Sequence, residues 1–163
     1  MTTYNTTEYG VNTEFDAYGR GVRTKKSFGT IAKTASVPTD ADYVIIQHKA
    51  ETNNVLNGIY LTSAAVAGFT DADIVMLDPA GAEVVDTGSS TVLLADGITF
   101  ANALSYKNVL GLNLTFDRTK SLAELTGKGA DQLPAYVNIA LKVNTAGTNT
   151  GSIETVVEYS APQ

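Results

Sequence analysis

The stretch best suited to carry chemistry is residues 84–90, which spell VVDTGSS and place the carboxyl group of Asp86 beside three hydroxyl groups and a glycine. Two uses of such residues are known. A carboxylate that shares a proton with a second carboxylate can activate a water molecule. Alternatively, an Asp followed by Thr, Gly and Ser forms a tight turn, in which the Asp side chain accepts hydrogen bonds from nearby backbone amides. We predict that residues 84–90 form such a turn between strands.

The same residues resemble the catalytic loop of pepsin-like aspartic proteases, and Val109–Leu112 resembles the later hydrophobic-hydrophobic-Gly element of that family. The resemblance implies a protease in which Asp86 shares a proton with a second Asp. The chain has no second Asp-Thr/Ser-Gly, so this enzyme would be a homodimer. Only 25 residues separate Asp86 from Gly111, too few for a flap over the substrate. We predict no enzyme, with a homodimeric aspartic protease using Asp86 as the alternative.

Two Asp-x-Asp strings, at residues 40–42 and 71–73, each stand between a Thr and an apolar run. An Asp-x-Asp pair can begin a calcium site, but such a site needs further oxygen ligands and a late Glu at fixed offsets. Neither string supplies them. We predict that both strings are turns that lead into strands, and we predict no metal or other cofactor.

The composition excludes several other kinds of site. The 163 residues include no Cys and a single His, His48, which rules out Cys-ligated zinc, thiol catalysis and a His cluster within one chain. Residues 40–163 hold six Lys/Arg and fourteen Asp/Glu. Contacts to phosphates need clustered cations, so we predict that this part of the chain does not bind nucleic acid.

The elements that must position any site are best defined in residues 134–160. An apolar face alternates along each of two predicted strands, formed by Val137, Ile139, Leu141 and Val143 and then by Ile153, Thr155, Val157 and Tyr159. Small, turn-forming residues separate the two strands. The pattern predicts a long antiparallel hairpin with Val143 opposite Ile153. In this register Lys142 stands opposite Glu154 on the solvent side.

Short alternating runs bounded by turn residues predict further strands. They lie at residues 43–46, 55–62, 73–77, 82–85, 91–95 and 108–116. Asp78–Gly81 has the Pro and Gly of a tight turn, which predicts a hairpin between the strands on either side of it. About eight short strands with little helix indicate an all-β fold, an antiparallel β-sandwich or barrel with one or two short helices and an extended N-terminal arm.

Two short helices are predicted. Ser121 and Glu124 have the spacing of a capping box, in which each side chain accepts a hydrogen bond from the backbone amide of the other residue. Gly127 can then end the helix in a left-handed conformation. Residues 98–107 are the second predicted helix.

Residues 1–37 lack sustained helical or strand periodicity, which predicts an extended arm that precedes a body of residues 38–163. The chain has no acid between Ala17 and Thr39. The arm shows too little apolar periodicity to dock on its own core, so we predict that it binds a neighbouring subunit, with aromatic anchors and basic residues that orient it. The predicted partner-binding residues are Tyr9, Phe15, Tyr18, Arg20, Arg23, Lys25, Lys26 and Phe28.

A cysteine-free β-protein rich in Thr, Ala and Gly, with an extended N-terminal arm, is similar in overall character to small virion proteins of tailed bacteriophages. The resemblance is in particular to head-decoration or cement proteins. This resemblance implies a β-domain that binds a capsid lattice in many copies, often as a trimer, and stabilises it. Its partners would be the major capsid protein, other virion subunits and further copies of itself. A tail or fibre-base subunit and a carbohydrate-binding β-domain are the alternatives.

The resemblance also implies a location in the virion after synthesis in the host cytoplasm. The chain begins without the basic and then apolar pattern of a signal peptide. No apolar run approaches the ~18 residues that a membrane span requires. We therefore predict a protein without membrane contact.

We expect no peptidase activity, because one Asp-Thr-Gly without a flap cannot assemble a pair of carboxylates that shares a proton. The measurement is hydrolysis of an unfolded protein substrate at acid pH by the wild type and by the Asp86→Asn variant, and both should be inactive. Activity of the wild type that is abolished by Asp86→Asn would establish the protease instead.

Overall fold

The computed structural model describes residues 2–5, 7–8, 15–16, 23–129 and 132–160. Within these ranges the chain forms eleven strands and one helix. The strands are β1 Thr3–Asn5, β2 Thr7–Glu8, β3 Phe15–Asp16, β4 Arg23–Lys33, β5 Tyr43–Glu51, β6 Val55–Ser63, β7 Asp71–Leu77, β8 Leu93–Ile98, β9 Leu104–Asn108, β10 Tyr136–Thr145 and β11 Gly151–Ser160, and the helix is α1 Leu122–Thr126. The predicted all-β sandwich is confirmed.

The strands form two sheets packed face to face. Sheet A has the order β1-β5-β10-β7-β8, and sheet B has the order β2-β4-β11-β6-β9, with β3 also paired to β4. The pairing of β1 with β5 is parallel, and the other pairs between the described strands are antiparallel. The last two strands of the chain, β10 and β11, therefore lie at the centre of the two sheets.

The core lies between the sheets and consists of the alternating apolar side chains that the sequence indicates. Ile139 and Leu141 of β10, and Ile153 and Val157 of β11, have no exposed surface. Burying an aliphatic side chain of this size contributes about 1.5–3 kcal/mol. These strands consequently define which face of each sheet points inward.

The predicted terminal hairpin is wrong. β10 is hydrogen-bonded to β5 and β7 of sheet A, and β11 is hydrogen-bonded to β4 and β6 of sheet B. Val143 and Ile153 are therefore not cross-strand partners, although both are buried as predicted. A strand with one apolar face can bury that face equally well beside its neighbour or opposite it. In this fold the two strands lie at the centres of different sheets, and each has two hydrogen-bonded neighbours.

The crossing from sheet A to sheet B depends on a close approach of two glycines. Gly147 has a φ of +58°, and a Cβ atom at this position would stand 2.8 Å from the backbone of Gly68. The carboxylate of Asp40 accepts a hydrogen bond from the amide of Ala146 at 2.8 Å. The ammonium group of Lys33 donates to the carbonyl of Gly147 at 3.1 Å. These contacts fix the loop that carries the chain between the sheets.

The prediction that the N-terminal region does not dock on its own core is wrong for residues 23–33. They form β4, which pairs with β11 at ten consecutive positions and buries Ile31 in the core. No clear alternation is visible in these residues, because Ser27 and Gly29 face inward whereas Phe28 faces outward. The division of the chain at residue 37 into an arm and a body stays a prediction.

The helix and strand predicted within residues 98–116 are also wrong. β9 occupies part of the predicted helix, and successive turns follow it, with the amide of Leu112 donating to the carbonyl of Val109 at 2.9 Å. Gly111 adopts a φ of +75° and its amide donates to the carbonyl of Leu94 at 2.7 Å. The alternating leucines that suggested a strand therefore belong to a turn that packs onto the core.

The predicted turn at Asp78–Gly81 is confirmed. The amide of Gly81 donates to the carbonyl of Asp78 at 3.0 Å, and the amide of Val84 donates to the carbonyl of Met76 at 2.9 Å. Residues 82–85 pair through isolated bridges and do not form the continuous strand that was predicted.

The capping box of the first predicted helix is confirmed as well. The amide of Ser121 donates to the carboxylate of Glu124 at 2.7 Å, the amide of Glu124 donates to the Ser121 hydroxyl at 3.3 Å, and Gly127 ends the helix with a φ of 67°. None of the helices in the described ranges has the length and apolar character needed to cross a bilayer.

Other parts of the same chain cover the outer face of sheet A. It carries a second buried apolar cluster formed by Tyr43, Ile45, Val75, Leu77 and Ala140. On this face the carboxylate of Glu83 accepts hydrogen bonds from the hydroxyls of Tyr43 and Thr91 and pairs with the Lys142 ammonium at 2.8 Å. Lys142 thus pairs with Glu83 and not, as predicted, with Glu154, because β10 and β11 belong to different sheets.

These contacts shift the pKa values of Glu83 and Tyr43. Burial would raise the pKa of Glu83, but hydrogen bonds from Lys142, Thr91 and Tyr43 outweigh it and hold the pKa below its ordinary value. Burial, together with the hydrogen bond to the Glu83 carboxylate, raises the pKa of Tyr43 above its ordinary value. Glu83 is therefore an ionised anchor of this face at neutral pH.

Because the folded-state pKa of Glu83 is depressed, its stabilising contribution is present above the unfolded pKa of about 4.3 and is lost as the pH falls through the folded pKa. Glu83→Gln should lower the free energy of unfolding at neutral pH by about 1–3 kcal/mol and flatten its dependence on acid pH. Urea unfolding followed across the acid range measures both effects. The control is Glu154→Gln, an exposed carboxylate, which should change neither. A Glu83→Gln profile that coincides with the wild type would show that these contacts do not stabilise the fold.

Candidate interaction surface

Asp86 holds the turn in which it lies. Its Oδ1 atom accepts hydrogen bonds from the backbone amides of Gly88 at 2.8 Å and Ser90 at 2.9 Å. The amide of Asp86 donates to the carbonyl of Ser90 at 2.8 Å. The predicted turn at residues 84–90 is confirmed, and its carboxylate is occupied by its own loop.

The two Asp-x-Asp strings likewise fix the backbone. Asp42 accepts hydrogen bonds from the amide of Thr39 at 2.9 Å and from its hydroxyl at 2.8 Å. Burial would raise the pKa of Asp42, but its hydrogen bonds outweigh burial and hold the pKa below its ordinary value. Asp73 accepts from the amide of Gly97 at 3.1 Å and from the side chain of Asn144 at 2.8 Å. No group of three or more His, Asp or Glu in the described part of the chain is arranged to hold a metal ion.

The outer face of sheet B exposes an apolar line that we call the aromatic row, consisting of Phe28, Val156, Tyr60 and Tyr106. The strand register places Val156 opposite Phe28 on one side and Tyr60 on the other. The rings of Tyr60 and Tyr106 stack with their centroids 4.5 Å apart and their planes 11° apart. Phe28 is 37% exposed and Tyr106 is 53% exposed. The aromatic row therefore crosses β4, β11, β6 and β9 and faces solvent.

Local geometry holds the two tyrosine rings in place. The ring of Tyr60 lies over Gly58, where a Cβ atom would stand 2.5 Å from it. Tyr106 has a φ of 46°, a left-handed conformation that is rare for a bulky residue. The amide of Tyr106 donates to the hydroxyl of Thr62 at 3.2 Å, which helps to hold this conformation. Strain of this kind concentrates at functional sites, where the surrounding structure must enforce it.

A groove of about 480 Å³ opens beside one end of the aromatic row. It is lined by Phe28, Gly29, Thr30, Ser152, Glu154, Thr155 and Val156. The lining combines apolar side chains with hydroxyls and a single carboxylate. The lining includes one titratable side chain, Glu154, and hence no pair of acid and base groups.

Two carboxylates, of Glu154 and Glu158, lie beside the aromatic row and differ in their ion pairing. Glu158 forms an ion pair with Lys26 at 3.6 Å. Glu154 stands between Thr30 and Thr62 in the register and is exposed. None of the cations in the described ranges pairs with Glu154. The groove therefore presents one carboxylate beside an apolar surface.

No protein-family model matches this chain, and no curated protein sequence is similar to it. A solved structure does resemble it. The fold is similar to that of a chain in the cyanophage Pam1 capsid asymmetric unit, with a TM-score of 0.50 and 20% sequence identity. The match covers 93% of this chain and 94% of the other. The two chains thus share the sandwich as a whole and not only one of its elements.

Two of the eight predicted partner-binding residues have described side chains, Lys26 and Phe28. Both lie on the outer face of sheet B, at the aromatic row and beside it. The side chains of the other six lie outside the described residues, namely Tyr9, Phe15, Tyr18, Arg20, Arg23 and Lys25. For all eight residues, binding to a partner stays a prediction.

Sequence reasoning missed the rest of the aromatic row. Tyr60 could have been found, because it stands on the polar face of the alternating strand 55–63. Tyr106 could not, because it falls in a segment that was predicted as a helix. Only the pairing of four strands brings these side chains together, and no local pattern encodes that pairing.

Gly58→Ala should leave the fold intact and displace the ring of Tyr60. The added Cβ atom would meet the far end of a side chain that can rotate away, so the free energy of unfolding should change by less than about 1 kcal/mol. Tyrosine ring resonances in NMR spectra report the displacement from Tyr106. Gly147→Ala is the contrasting variant, because its Cβ atom would meet backbone at a positive φ, and it should destabilise the fold clearly. Unshifted tyrosine resonances in Gly58→Ala would contradict the ring packing.

Proposed function

We propose that this chain is a structural protein of a phage virion that binds and stabilises a capsid lattice, as decoration or cement proteins do. The proposal is supported by the fold it shares, over nearly the whole chain, with a chain of the cyanophage Pam1 capsid asymmetric unit. A lattice offers the same binding surface many times. A protein that binds only the assembled lattice stabilises it by mass action.

The observation that carries the proposal is the contrast between the two outer faces of the sandwich. On sheet A, apolar side chains such as Val75 and Leu77 are fully buried beneath the contacts of Glu83. On sheet B, Phe28 and Tyr106 remain exposed. An exposed aromatic surface with a polar rim is typical of a protein interface, because its burial on binding supplies most of the affinity. Sheet B is thus the face that binds the lattice.

The aromatic row suits this role because it is rigid before binding. Its residues stand on paired strands, and stacking fixes the rings of Tyr60 and Tyr106. A side chain that is already ordered loses less conformational entropy on binding, typically ~0.5–1.5 kcal/mol less for each side chain. The row spans four strands, a width of about 14 Å at ~4.8 Å between neighbouring strands. This is wide enough to receive one strand or loop of a partner.

The partners in this proposal are the major capsid protein or other virion subunits. Of the N-terminal residues with predicted binding roles, Phe28 belongs to the aromatic row and Lys26 lies beside it on the same face. Aromatic side chains supply most of the binding free energy, and the basic residues orient the partner, because an exposed ion pair contributes only ~0–1 kcal/mol. The proposed function includes no catalytic step, and the Asp86 carboxylate serves its turn.

The test is co-sedimentation of the protein with purified capsids of the phage whose genome encodes it. Phe28→Ala and Tyr106→Ala should each weaken binding by about 30-fold, which corresponds to about 2 kcal/mol for the loss of a central aromatic contact. The matched control is Tyr136→Ala. Tyr136 is 39% exposed, close to the 37% exposure of Phe28, but it belongs to sheet A. This control variant should bind as the wild type does.

Each result bears on a different part of the proposal. Equal losses for Tyr136→Ala and Phe28→Ala would show that sheet B is not the binding face. Absence of binding by the wild type would contradict the lattice role itself. Thermal denaturation of each variant verifies that the fold persists, which we expect because all three side chains are exposed.

A further inference from the structure

Two carboxyl groups that the proposed function does not use, those of Asp73 and Asp96, meet on the outer face of sheet A. Asp73 lies on this face because it stands two residues before Val75 of the second apolar cluster. The pairings between β7 and β8 leave Asp73 opposite two residues of β8, Asp96 and Gly97. This arrangement is a β-bulge, which changes the direction in which side chains of the bulged strand point. The Asp96 carboxyl group lies within hydrogen-bonding range of the Asp73 carboxyl group.

Asp73 is the hydrogen-bond acceptor of this pair. It is 8% exposed, and its two oxygens already accept hydrogen bonds from the Gly97 amide at 3.1 Å and from the Asn144 side chain at 2.8 Å. Both donors keep their hydrogen atoms at any pH, so Asp73 must present oxygen lone pairs to them. A proton shared between the two carboxyl groups therefore belongs to Asp96, which donates it to Asp73.

The backbone holds Asp96 in this position. The amide of Asp96 donates to the carbonyl of Leu112 at 3.1 Å, and its carbonyl accepts from the Asn113 side chain at 2.8 Å. The next residue, Gly97, has a φ of +67°, and a Cβ atom there would stand 3.0 Å from the same Asn113 side chain. The backbone of Asp96 therefore cannot move away from Asp73 without breaking contacts with the turn at residues 109–113.

The charges on the neighbouring strands add to the repulsion between the two carboxyl groups. Asp71 stands on the same face of β7, two residues from Asp73. Lys142 of β10 is opposite Asp73 in the register, but its ammonium group pairs with Glu83 at 2.8 Å. None of the ion pairs among the described residues includes Asp71, Asp73 or Asp96.

The turn packed against Asp96 supplies no cation to it either. Residues 109–113 contain no ionisable side chain, and Arg118, which follows them, donates to the carbonyl of Leu110 at 3.0 Å. Burial, the hydrogen bond with Asp73 and the negative charges of Asp73 and Asp71 raise the pKa of Asp96 above its ordinary value. Asp96 is thus the group whose uptake of a proton relieves the repulsion.

We propose that Asp73 and Asp96 form a proton-binding pair that strengthens the attachment of β8 to sheet A as the pH falls. Asp96 takes up one proton from solution and donates it in a hydrogen bond to Asp73. When both groups are ionised, their repulsion acts across the pairing of β7 with β8 and on the turn at residues 109–113, which is hydrogen-bonded to β8. This property belongs to the protein alone and does not depend on the proposed capsid function.

The effect of Asp96 on stability has the opposite sign to that of Glu83. Because the folded-state pKa of Asp96 is raised, the folded protein holds this proton over a pH range in which the unfolded chain has lost it. The contribution of Asp96 to the free energy of unfolding therefore rises as the pH falls through the folded pKa. The gain is complete below the unfolded pKa of about 3.9.

The test is a pH titration of the full chain, followed by carbon-13 NMR of the side-chain carboxyl carbons. The Cγ resonance of Asp96 should titrate with a midpoint above the ordinary Asp value of about 3.9. Asp73→Asn should lower this midpoint, because it removes the negative charge but keeps an oxygen that can accept from the Gly97 amide.

Urea unfolding across the same pH range measures the effect on stability. Asp96→Asn imitates the protonated group, so it should lower the unfolding equilibrium constant at pH 7 by up to about fivefold, because like charges on paired strands are destabilising. This advantage over the wild type should shrink as the pH falls toward about 4. The matched control is Glu51→Gln, which neutralises an exposed carboxylate on the same sheet and should have no effect.

Three outcomes would overturn this proposal. An Asp96 resonance that titrates at or below the ordinary midpoint in the wild type would exclude proton binding by the pair. A midpoint that Asp73→Asn leaves unchanged would show that Asp73 is not the partner of Asp96. Destabilisation by Asp96→Asn at pH 7 would show that the ionised carboxylate stabilises the fold. Because no capsid enters these measurements, each of these outcomes leaves the proposed capsid function intact.

Discussion

The structure depends on β10 and β11, which lie at the centres of the two sheets and bury their apolar faces in the core. Each strand has a single apolar face and is hydrogen-bonded on both sides, so these two strands fix the inward direction of both sheets. Their connection must cross the full thickness of the sandwich. The close approach of Gly68 and Gly147 and the hydrogen bond from Ala146 to Asp40 permit this crossing.

The outer faces of the two sheets differ in how far their apolar side chains are covered. On the outer face of sheet A, where the second apolar cluster is buried, Glu83 accepts hydrogen bonds from Tyr43 and Thr91 and forms an ion pair with Lys142. On sheet B, no comparable element of the described chain covers the aromatic row. A monomer gains nothing from exposed aromatic rings, and Tyr106 holds a disfavoured backbone conformation there. This difference is the physical reason why we propose sheet B as the interaction surface.

Strand β4 links the core to this surface. Its inward side contributes Ile31 to the core, and its outward side contributes Phe28 to the aromatic row and Lys26 to an ion pair. Since β4 pairs with β11 along ten positions, the position of Phe28 is as well determined as that of a core residue. A binding surface built on paired strands is more rigid than one built on loops, and it loses less entropy when a partner binds.

The sequence by itself determined the all-β class, the inward faces of β10 and β11, the turns at Asp86 and Asp78–Gly81 and the capping box at Ser121. These features depend on residues close in sequence, through periodicity or local hydrogen bonds. Tertiary structure alone decided that β10 and β11 lie in different sheets, that residues 23–33 form a strand, and that Tyr60 and Tyr106 share a surface with Phe28. An alternating strand buries its apolar face equally well in either arrangement, so the choice depends on neighbours that are distant in sequence.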